Sequence, residues 1–293
     1  MSSRTPQERK NAPGKIEDFT YRDLKIFYRK AGSGKPIIFL HNGGNSHIIW
    51  KHQLDYFSGS HTCYAFDLPG YGLSVNPNAR FPLALYTGFL DEFITNRKLV
   101  PVTLVGNCVG SATSLTYAMK KPESVNKLIL FNILTKATLW DGSWGIFFKM
   151  TAPAPSLPQL LHKAFGNWKI PKPIAHYSVV TQFGNRGYRD PEFVRDLKKL
   201  YGQKGQLGAL IDILADIESF VPMDNFAIPE KFPETLVIWG EKNRILPLEV
   251  GRKLCARLKP RRMEVIKGGG HVVMHELHEE INVLMAGLVG LKS

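Results

Sequence analysis

Short apolar runs alternate along most of the chain with segments that have the spacing of amphipathic helices. Six runs have the length and composition of strands buried in a sheet, and they lie at residues 36–40, 63–66, 102–105, 127–133, 235–240 and 263–266. Helices are predicted at residues 49–56, 83–96, 111–121, 248–258 and 275–291. Residues 19–23 and 24–30 alternate weakly and predict an antiparallel pair at a sheet edge. The pattern predicts an α/β protein with a doubly wound, mostly parallel sheet.

The strand–helix alternation stops between residues 134 and 232. This segment is rich in aromatic residues and prolines, and helical spacing returns in its later half at Phe193, Leu197, Leu200 and Tyr201. We therefore expect residues 16–133 and 233–293 to form one α/β core, with a helical cap inserted at residues 134–232. Residues 1–15 are polar and basic, and we expect them to be disordered.

The most informative stretch runs from Val102 to Ser114, where an apolar strand leads through Gly-x-Cys-x-Gly into a helix-compatible segment. A strand that turns sharply into a helix can hold a nucleophile in a strained conformation at the bend. Cys108 occupies that bend, and Gly106 and Gly110 remove the Cβ atoms that would clash around it. Taken alone, the motif also fits a small buried core cysteine.

Four further motifs accompany this turn, at residues 41–44 (HNGG), 67–74 (DLPGYGLS), 240–247 (GEKNRILP) and 269–271 (GGH). With them the chain resembles the α/β-hydrolase superfamily, in particular the capped branch that contains esterases, C–C hydrolases, epoxide hydrolases and haloalkane dehalogenases. The Gly-x-Cys-x-Gly turn is similar to that of dienelactone hydrolases and polyhydroxyalkanoate synthases. The resemblance implies an α/β-hydrolase fold with a cap, a nucleophile at Cys108 and a histidine base at His271.

Two positions depart from the family's pattern. Cys108 replaces the usual serine or aspartate, and Asn243 stands where an acid is usual, while Asn132 occupies the alternative acid position after the sixth strand. The departures are consistent with each other, because a thiol is acidic enough to form a resting thiolate–imidazolium pair, and an amide can then orient the ring. We therefore predict a triad of Cys108, His271 and Asn243, with Asn132 as the alternative orienter of the histidine.

The loop at residues 41–44 completes the predicted site. The backbone N–H groups of Gly43 and Val109 are predicted to form an oxyanion hole, and Asn42 is expected to line it. We interpret His41 as a residue that braces this loop rather than as a catalytic group.

The predicted cap contains one group of aromatic residues and one group of basic residues, and each group allows two interpretations. Four aromatic residues fit either a pocket for an apolar acyl group or the core of the cap itself: Trp140, Trp144, Phe147 and Trp168. Four basic residues fit either a contact with coenzyme A or an acidic acyl carrier protein, or a solvated helix face: Arg195, Lys198, Lys199 and Lys204.

The 293-residue chain has a formal net charge of +13, which fits a nucleic-acid, anionic-lipid or acidic-protein partner or a generally basic surface. We favour a generally basic surface, since no nucleic-acid-binding motif accompanies the charge. No apolar run reaches the ~20 residues that span a bilayer, and the N-terminus lacks a secretion signal. The three cysteines, Cys63, Cys108 and Cys255, form no disulfide framework. His275 and His278 are expected on an exposed helix and lack an H-E-x-x-H motif. We expect a cytoplasmic protein without a metal, a cofactor, a nucleic-acid partner or a membrane partner.

These residues predict an enzyme that acts on an ester or thioester of an apolar acyl group through an acyl-Cys108 intermediate. The acyl group would pass to water, or to another acceptor by transfer, condensation or cyclisation. Dehalogenation and epoxide opening are disfavoured because those mechanisms need a carboxylate nucleophile. The alternative is a non-catalytic ligand-binding protein that keeps the same fold.

Overall fold

The computed structural model describes residues 13–76, 78–142, 145–146, 149, 156–184 and 190–291. Its strands are β1 (Lys15–Tyr21), β2 (Leu24–Ala31), β3 (Lys35–Leu40), β4 (His61–Phe66), β5 (Val102–Asn107), β6 (Val125–Phe131), β7 (Glu234–Gly240) and β8 (Arg262–Ile266). They form one sheet in the order β1-β2-β4-β3-β5-β6-β7-β8. β1 pairs antiparallel with β2 and β2 with β4, whereas the other neighbours are parallel. The predicted mostly parallel sheet with an antiparallel edge is confirmed.

The α-helices in the described part of the chain are α1 (Lys51–Phe57), α2 (Leu83–Asn96), α3 (Val109–Lys120), α4 (Lys136–Trp140), α5 (Leu157–Phe165), α6 (Lys172–Val180), α7 (Pro191–Tyr201), α8 (Gln206–Ala215), α9 (Val221–Asp224), α10 (Leu248–Leu258), α11 (Val273–Glu276) and α12 (His278–Val289). The helix expected from residue 49 begins instead as a 3-10 turn, His47–Trp50, before α1. The expectation of a single closing helix at residues 275–291 is wrong, because two helices, α11 and α12, occupy this part of the chain. Leu277 has φ −125° and ψ 45°, outside the helical region, and therefore separates α11 from α12.

Apolar side chains of the central strands alternate between the two faces of the sheet. In β3, Ile38 and Leu40 face the cluster that contains Phe89 of α2. Ile37 and Phe39 face the opposite cluster, which contains residues of α1 and α12. Helices therefore cover both faces of β3, and this double burial explains why the strand is a continuous apolar run.

The region between β6 and β7, residues 134–232, is called the cap segment below. Phe193, Leu197, Leu200 and Tyr201 all lie on the buried face of α7, as their spacing predicts. Helix α8 packs on the loops that follow β3 and β4, because a Cβ added to Gly43 would lie 3.1 Å from Leu210 of that helix. No helix among the described residues combines the length and the apolar character needed to cross a bilayer.

Candidate active site

The turn between β5 and α3 holds Cys108 in a strained backbone conformation, with φ 55° and ψ −112°. Two glycines make this turn sterically allowed. A Cβ on Gly106 would lie 2.4 Å from the carbonyl carbon of Gly110, and a Cβ on Gly110 would lie 2.1 Å from Leu40 O. The turn therefore presents the Cys108 side chain at the carboxyl ends of the central strands, where open α/β sheets bind their ligands.

Cys108 is 8% exposed, and the backbone N–H groups of Val109 and Gly43 lie close enough to its sulfur to favour the thiolate. These are the two groups predicted to form an oxyanion hole. Burial raises the pKa of the Cys108 thiol to about 12, and the two N–H donors offset this only in part. The resting side chain is therefore a protonated thiol.

His271 is fully buried and follows β8 in the loop of glycines 268–270. Its Nδ1–H donates to Asn243 Oδ1 at 3.3 Å, which leaves Nε2 as the ring's acceptor. Burial lowers the pKa of His271 to about 3, so the imidazole is neutral. Burial therefore opposes the expected thiolate–imidazolium pair in the resting site, because it disfavours both charged forms.

Asn243 is fixed by the backbone that follows it. Its Oδ1 accepts the N–H groups of Ile245 and Leu246, both at 3.0 Å. Its Nδ2 is buried without a partner among the described residues. Asn243 Oδ1 thus accepts three donors. An aspartate at this position would share the same donors between two oxygens.

Asn132 binds the backbone of His271 rather than its ring. Its Nδ2 donates to His271 O at 3.1 Å and to Asn107 Oδ1 at 3.0 Å. Asn107 Nδ2 in turn donates to His271 O at 3.1 Å and to Asn42 Oδ1 at 3.2 Å. Of the two predicted orienters, Asn243 is the one that contacts the imidazole, while Asn132 and Asn107 hold its main chain.

The loop that carries Gly43 is braced by His41. The His41 Nδ1–H donates to Asn42 O at 2.7 Å, and Nε2 accepts the Leu68 N–H at 2.8 Å. Both ring nitrogens are therefore engaged by the backbone, and burial lowers the pKa of His41 to about 4. This geometry matches a bracing role and leaves no nitrogen free for catalysis.

Gln182 of the cap segment joins the predicted oxyanion loop to the histidine loop. Its main-chain oxygen accepts the His271 N–H at 2.7 Å. Its side-chain Oε1 accepts Asn42 Nδ2 at 3.3 Å and Asn45 Nδ2 at 3.2 Å, and its Nε2 donates to Tyr201 Oη at 3.3 Å. Gln182 and Asn107 were not predicted as site residues, because no sequence motif marks a buried amide.

The structure describes two of the four predicted pocket aromatics, Trp140 and Trp168. Trp140 is half-buried, with the Lys136 ammonium 5.6 Å from its ring centre. Trp168 is 59% exposed and packs edge-on against Phe165, so its assignment to an enclosed pocket is wrong. Trp144 and Phe147 lie outside the described residues.

Other side chains surround the predicted oxyanion loop. A Cβ on Gly43 would approach Leu210, Ile213 and Tyr71 Oη within 3.1–3.4 Å. Tyr201 is also close: burial, and secondarily the neighbouring Cys108, raises its pKa. These two tyrosines and two aliphatic residues surround the predicted oxyanion loop and Cys108, and none of them was predicted as a site residue.

The basic group on α7 lies at an open surface cavity of about 550 Å³. Arg195 pairs with Glu192 and Asp196, and Lys199 also pairs with Asp196. Such pairs within one helix are typical of a solvated helix face, and the choice between the two interpretations of these four residues stays open.

His275 is buried, contrary to the expected exposed helix. Its ring stacks on Phe193 with centroids 3.7 Å apart, and Nε2 lies 3.2 Å from Asp190 Oδ2. Both partners belong to the start of α7 in the cap segment. His275 therefore helps to join the cap segment to the core.

Comparison with known proteins agrees with the predicted fold class. The family model for the alpha/beta hydrolase fold matches residues 35–276. An uncharacterized protein of Mycobacterium tuberculosis is 23% identical over 279 residues, which cover 90% of this chain and 78% of that protein. An alpha/beta hydrolase fold protein from Burkholderia ambifaria superposes with a TM-score of 0.74 at 20% identity, covering 92% of this chain and 97% of that one. A thermophilic esterase from Thermogutta terrifontis superposes with a TM-score of 0.76 at 18% identity, covering 94% and 98%.

Proposed function

The chain belongs to the α/β hydrolase fold family, and from this premise we propose that it is an enzyme acting on an ester or thioester of an apolar acyl group through an acyl-Cys108 intermediate. The observation that carries the proposal is the convergence of the Val109 and Gly43 N–H groups on the sulfur of a strained residue. Such donors stabilise the oxyanion that forms when a nucleophile at this position attacks a carbonyl.

In the proposed reaction a neutral imidazole acts as a general base. His271 Nε2 accepts the thiol proton while Cys108 Sγ bonds to the carbonyl carbon. The carbonyl oxygen becomes an oxyanion that takes the two N–H donors over from the sulfur. The bond to the leaving alcohol or thiol then breaks, and His271 returns its proton to that group.

The order of these contacts follows from the resting geometry. The backbone N–H groups of Val109 and Gly43 lower the pKa of the sulfur and therefore lie beside it. A substrate carbonyl that occupies these two donors leaves the sulfur free to give its proton to His271.

The wall near Cys108 favours an apolar acyl group. Leu210 and Ile213 come from the cap segment and Tyr71 from the loop after β4, and all three lie beside Gly43. The acyl-Cys108 thioester can pass to water, or to an amine, a thiol or a positioned alcohol. Coenzyme A and acyl carrier protein remain proposed carriers of the acyl group.

A specific observation also favours the second candidate, a non-catalytic binder. The thiol is buried and protonated, and an inert core cysteine has the same properties. A binder would hold acyl ligands in this site without turning them over.

The test is turnover of p-nitrophenyl esters and acyl-coenzyme A thioesters of increasing chain length. We expect activity that falls by at least about a thousand-fold in Cys108→Ala and is unchanged in Cys255→Ala, which removes another buried thiol. Activity that survives in Cys108→Ala would contradict the proposal. Binding of these ligands by the wild type without turnover would favour the binder.

A further inference from the structure

One long stretch of the cap segment contains no acidic residue. From residue 142 to residue 189 there is no Asp or Glu, whereas the same stretch carries six basic residues: Lys149, Lys163, Lys169, Lys172, Arg186 and Arg189. These six account for almost half of the chain's net charge of +13. Such one-sided charge contrasts with α7, where Arg195 and Lys199 pair with carboxylates of the same helix.

The described part of this stretch also exposes large apolar side chains. Six of them lie between residues 156 and 180: Leu160, Phe165, Trp168, Ile174, Tyr177 and Val180. Three belong to α6, where they lie opposite the buried Val179. The ring centroids of Phe165 and Trp168 are 5.0 Å apart. So many large exposed apolar side chains in one stretch are unusual on the surface of a soluble protein. Such surfaces mark sites of contact with a membrane or another molecule.

We propose that the lipid-facing surface, defined as the exposed side chains of residues 156–180, binds the surface of an anionic lipid bilayer. Tryptophan and tyrosine are suited to the boundary between headgroups and acyl chains, since each has an apolar ring and a polar atom. Leucine, isoleucine and valine enter the outer acyl region, while Lys163, Lys169 and Lys172 attract anionic headgroups.

Charge and apolar area together favour a bilayer over an acidic protein. The lysines are spread among the exposed apolar residues, as in helices that lie in the plane of a membrane interface. No helix has to cross the bilayer in this arrangement. The proposal replaces our expectation of no membrane partner, and it does not depend on the chemistry of Cys108.

Vesicle sedimentation of the full chain tests the proposal, with phosphatidylcholine vesicles that contain or lack phosphatidylglycerol. We expect binding to the anionic vesicles only. Replacing Lys163, Lys169 and Lys172 by Gln should weaken that binding on the order of a hundred-fold, since each basic residue near the surface contributes about five-fold. The matched control replaces Arg252, Lys253 and Arg261, three exposed cations elsewhere, by Gln.

A second variant pair tests the apolar contribution. Trp168→Ser with Tyr177→Ser should abolish binding, whereas Val283→Ser, at an exposed apolar position on α12, should leave it unchanged. Trp168→Phe should keep binding but lose a blue shift of tryptophan fluorescence that the wild type shows with anionic vesicles. Circular dichroism checks that each variant is folded.

Three results would overturn the proposal. They are no binding to anionic vesicles, an equal loss in the two triple variants, and a fluorescence shift that Trp168→Phe retains. The first would leave an acidic protein as the occupant of this surface, and the second would show that binding reflects net charge alone.

Discussion

Asn243 Oδ1 accepts the Nδ1–H of His271 at 3.3 Å, and the same oxygen also accepts two backbone N–H groups. The amide thereby fixes the ring's tautomer without placing a negative charge beside it. A cysteine nucleophile can work with such an uncharged orienter, whereas a serine needs a carboxylate to stabilise the imidazolium that forms during attack.

The first prediction replaces Cys108 by serine and Asn243 by aspartate. Cys108→Ser alone should lose at least about a hundred-fold in ester hydrolysis. Adding Asn243→Asp should recover much of it, because the backbone N–H groups of Ile245 and Leu246 already suit a carboxylate at that position. Steady-state kinetics of the single and double variants measure the effect. If Asn243→Asp gives no recovery in the serine background, Asn243 does not act on His271 as described.

The second prediction compares two fully buried glutamines. Gln182→Met should destabilise the protein by about 1–3 kcal/mol, because it leaves the Asn45 amide without its acceptor and removes one of the two acceptors of the Asn42 amide. Gln206→Met should be neutral or stabilising, because neither amide atom of Gln206 has a partner among the described residues. Urea unfolding of both variants provides the measurement. Equal losses would mean that the Gln182 hydrogen bonds contribute little.

The structure separates what the sequence could predict from what it could not. The apolar runs located the buried strands, and the glycine spacing anticipated the strained turn at Cys108, since both depend on neighbouring residues. The Gln182 contacts join positions about 140 residues apart in the chain, and no local pattern encodes them. The neutral Cys108–His271 site was missed because burial in the folded protein raises the pKa of the thiol and lowers that of the imidazole, and residue type alone does not reveal this burial.

The third prediction concerns acid stability. Burial is the main cause that lowers the pKa of His41 to about 4, and of His52 and His271 to about 3. Below pH ~6.5 the unfolded chain binds protons that the folded protein does not, so stability should fall as the pH drops from 6.5 toward 4. Each histidine contributes up to about 1.4 kcal/mol per pH unit.

Denaturant unfolding between pH 7.5 and 4.5 measures this dependence. His52→Phe should make it shallower, because the variant removes one titrating ring from the stack with His278. Stability that stays constant or rises toward pH 5 would show that these rings are not held neutral.

The fourth prediction concerns alkylation of the three cysteines by iodoacetamide. Burial raises the pKa of Cys63, Cys108 and Cys255 alike to about 12. Labelling of the native protein should therefore be slow at pH 6 and rise steadily up to pH 9. Peptide mapping after timed labelling gives the rate for each cysteine. A rate at Cys108 that levels off near pH 7 would reveal a resting thiolate and would contradict the neutral site.

The central claim is that Cys108 carries the acyl group, and rapid-quench mass spectrometry tests it most directly. The protein is mixed with an acyl-coenzyme A thioester or a p-nitrophenyl ester, quenched with acid, weighed intact and mapped by peptides. We predict one added acyl group on the peptide that contains Cys108, within the first turnover, and none in Cys108→Ala. An adduct on another residue, or turnover without any adduct at Cys108, would contradict the account.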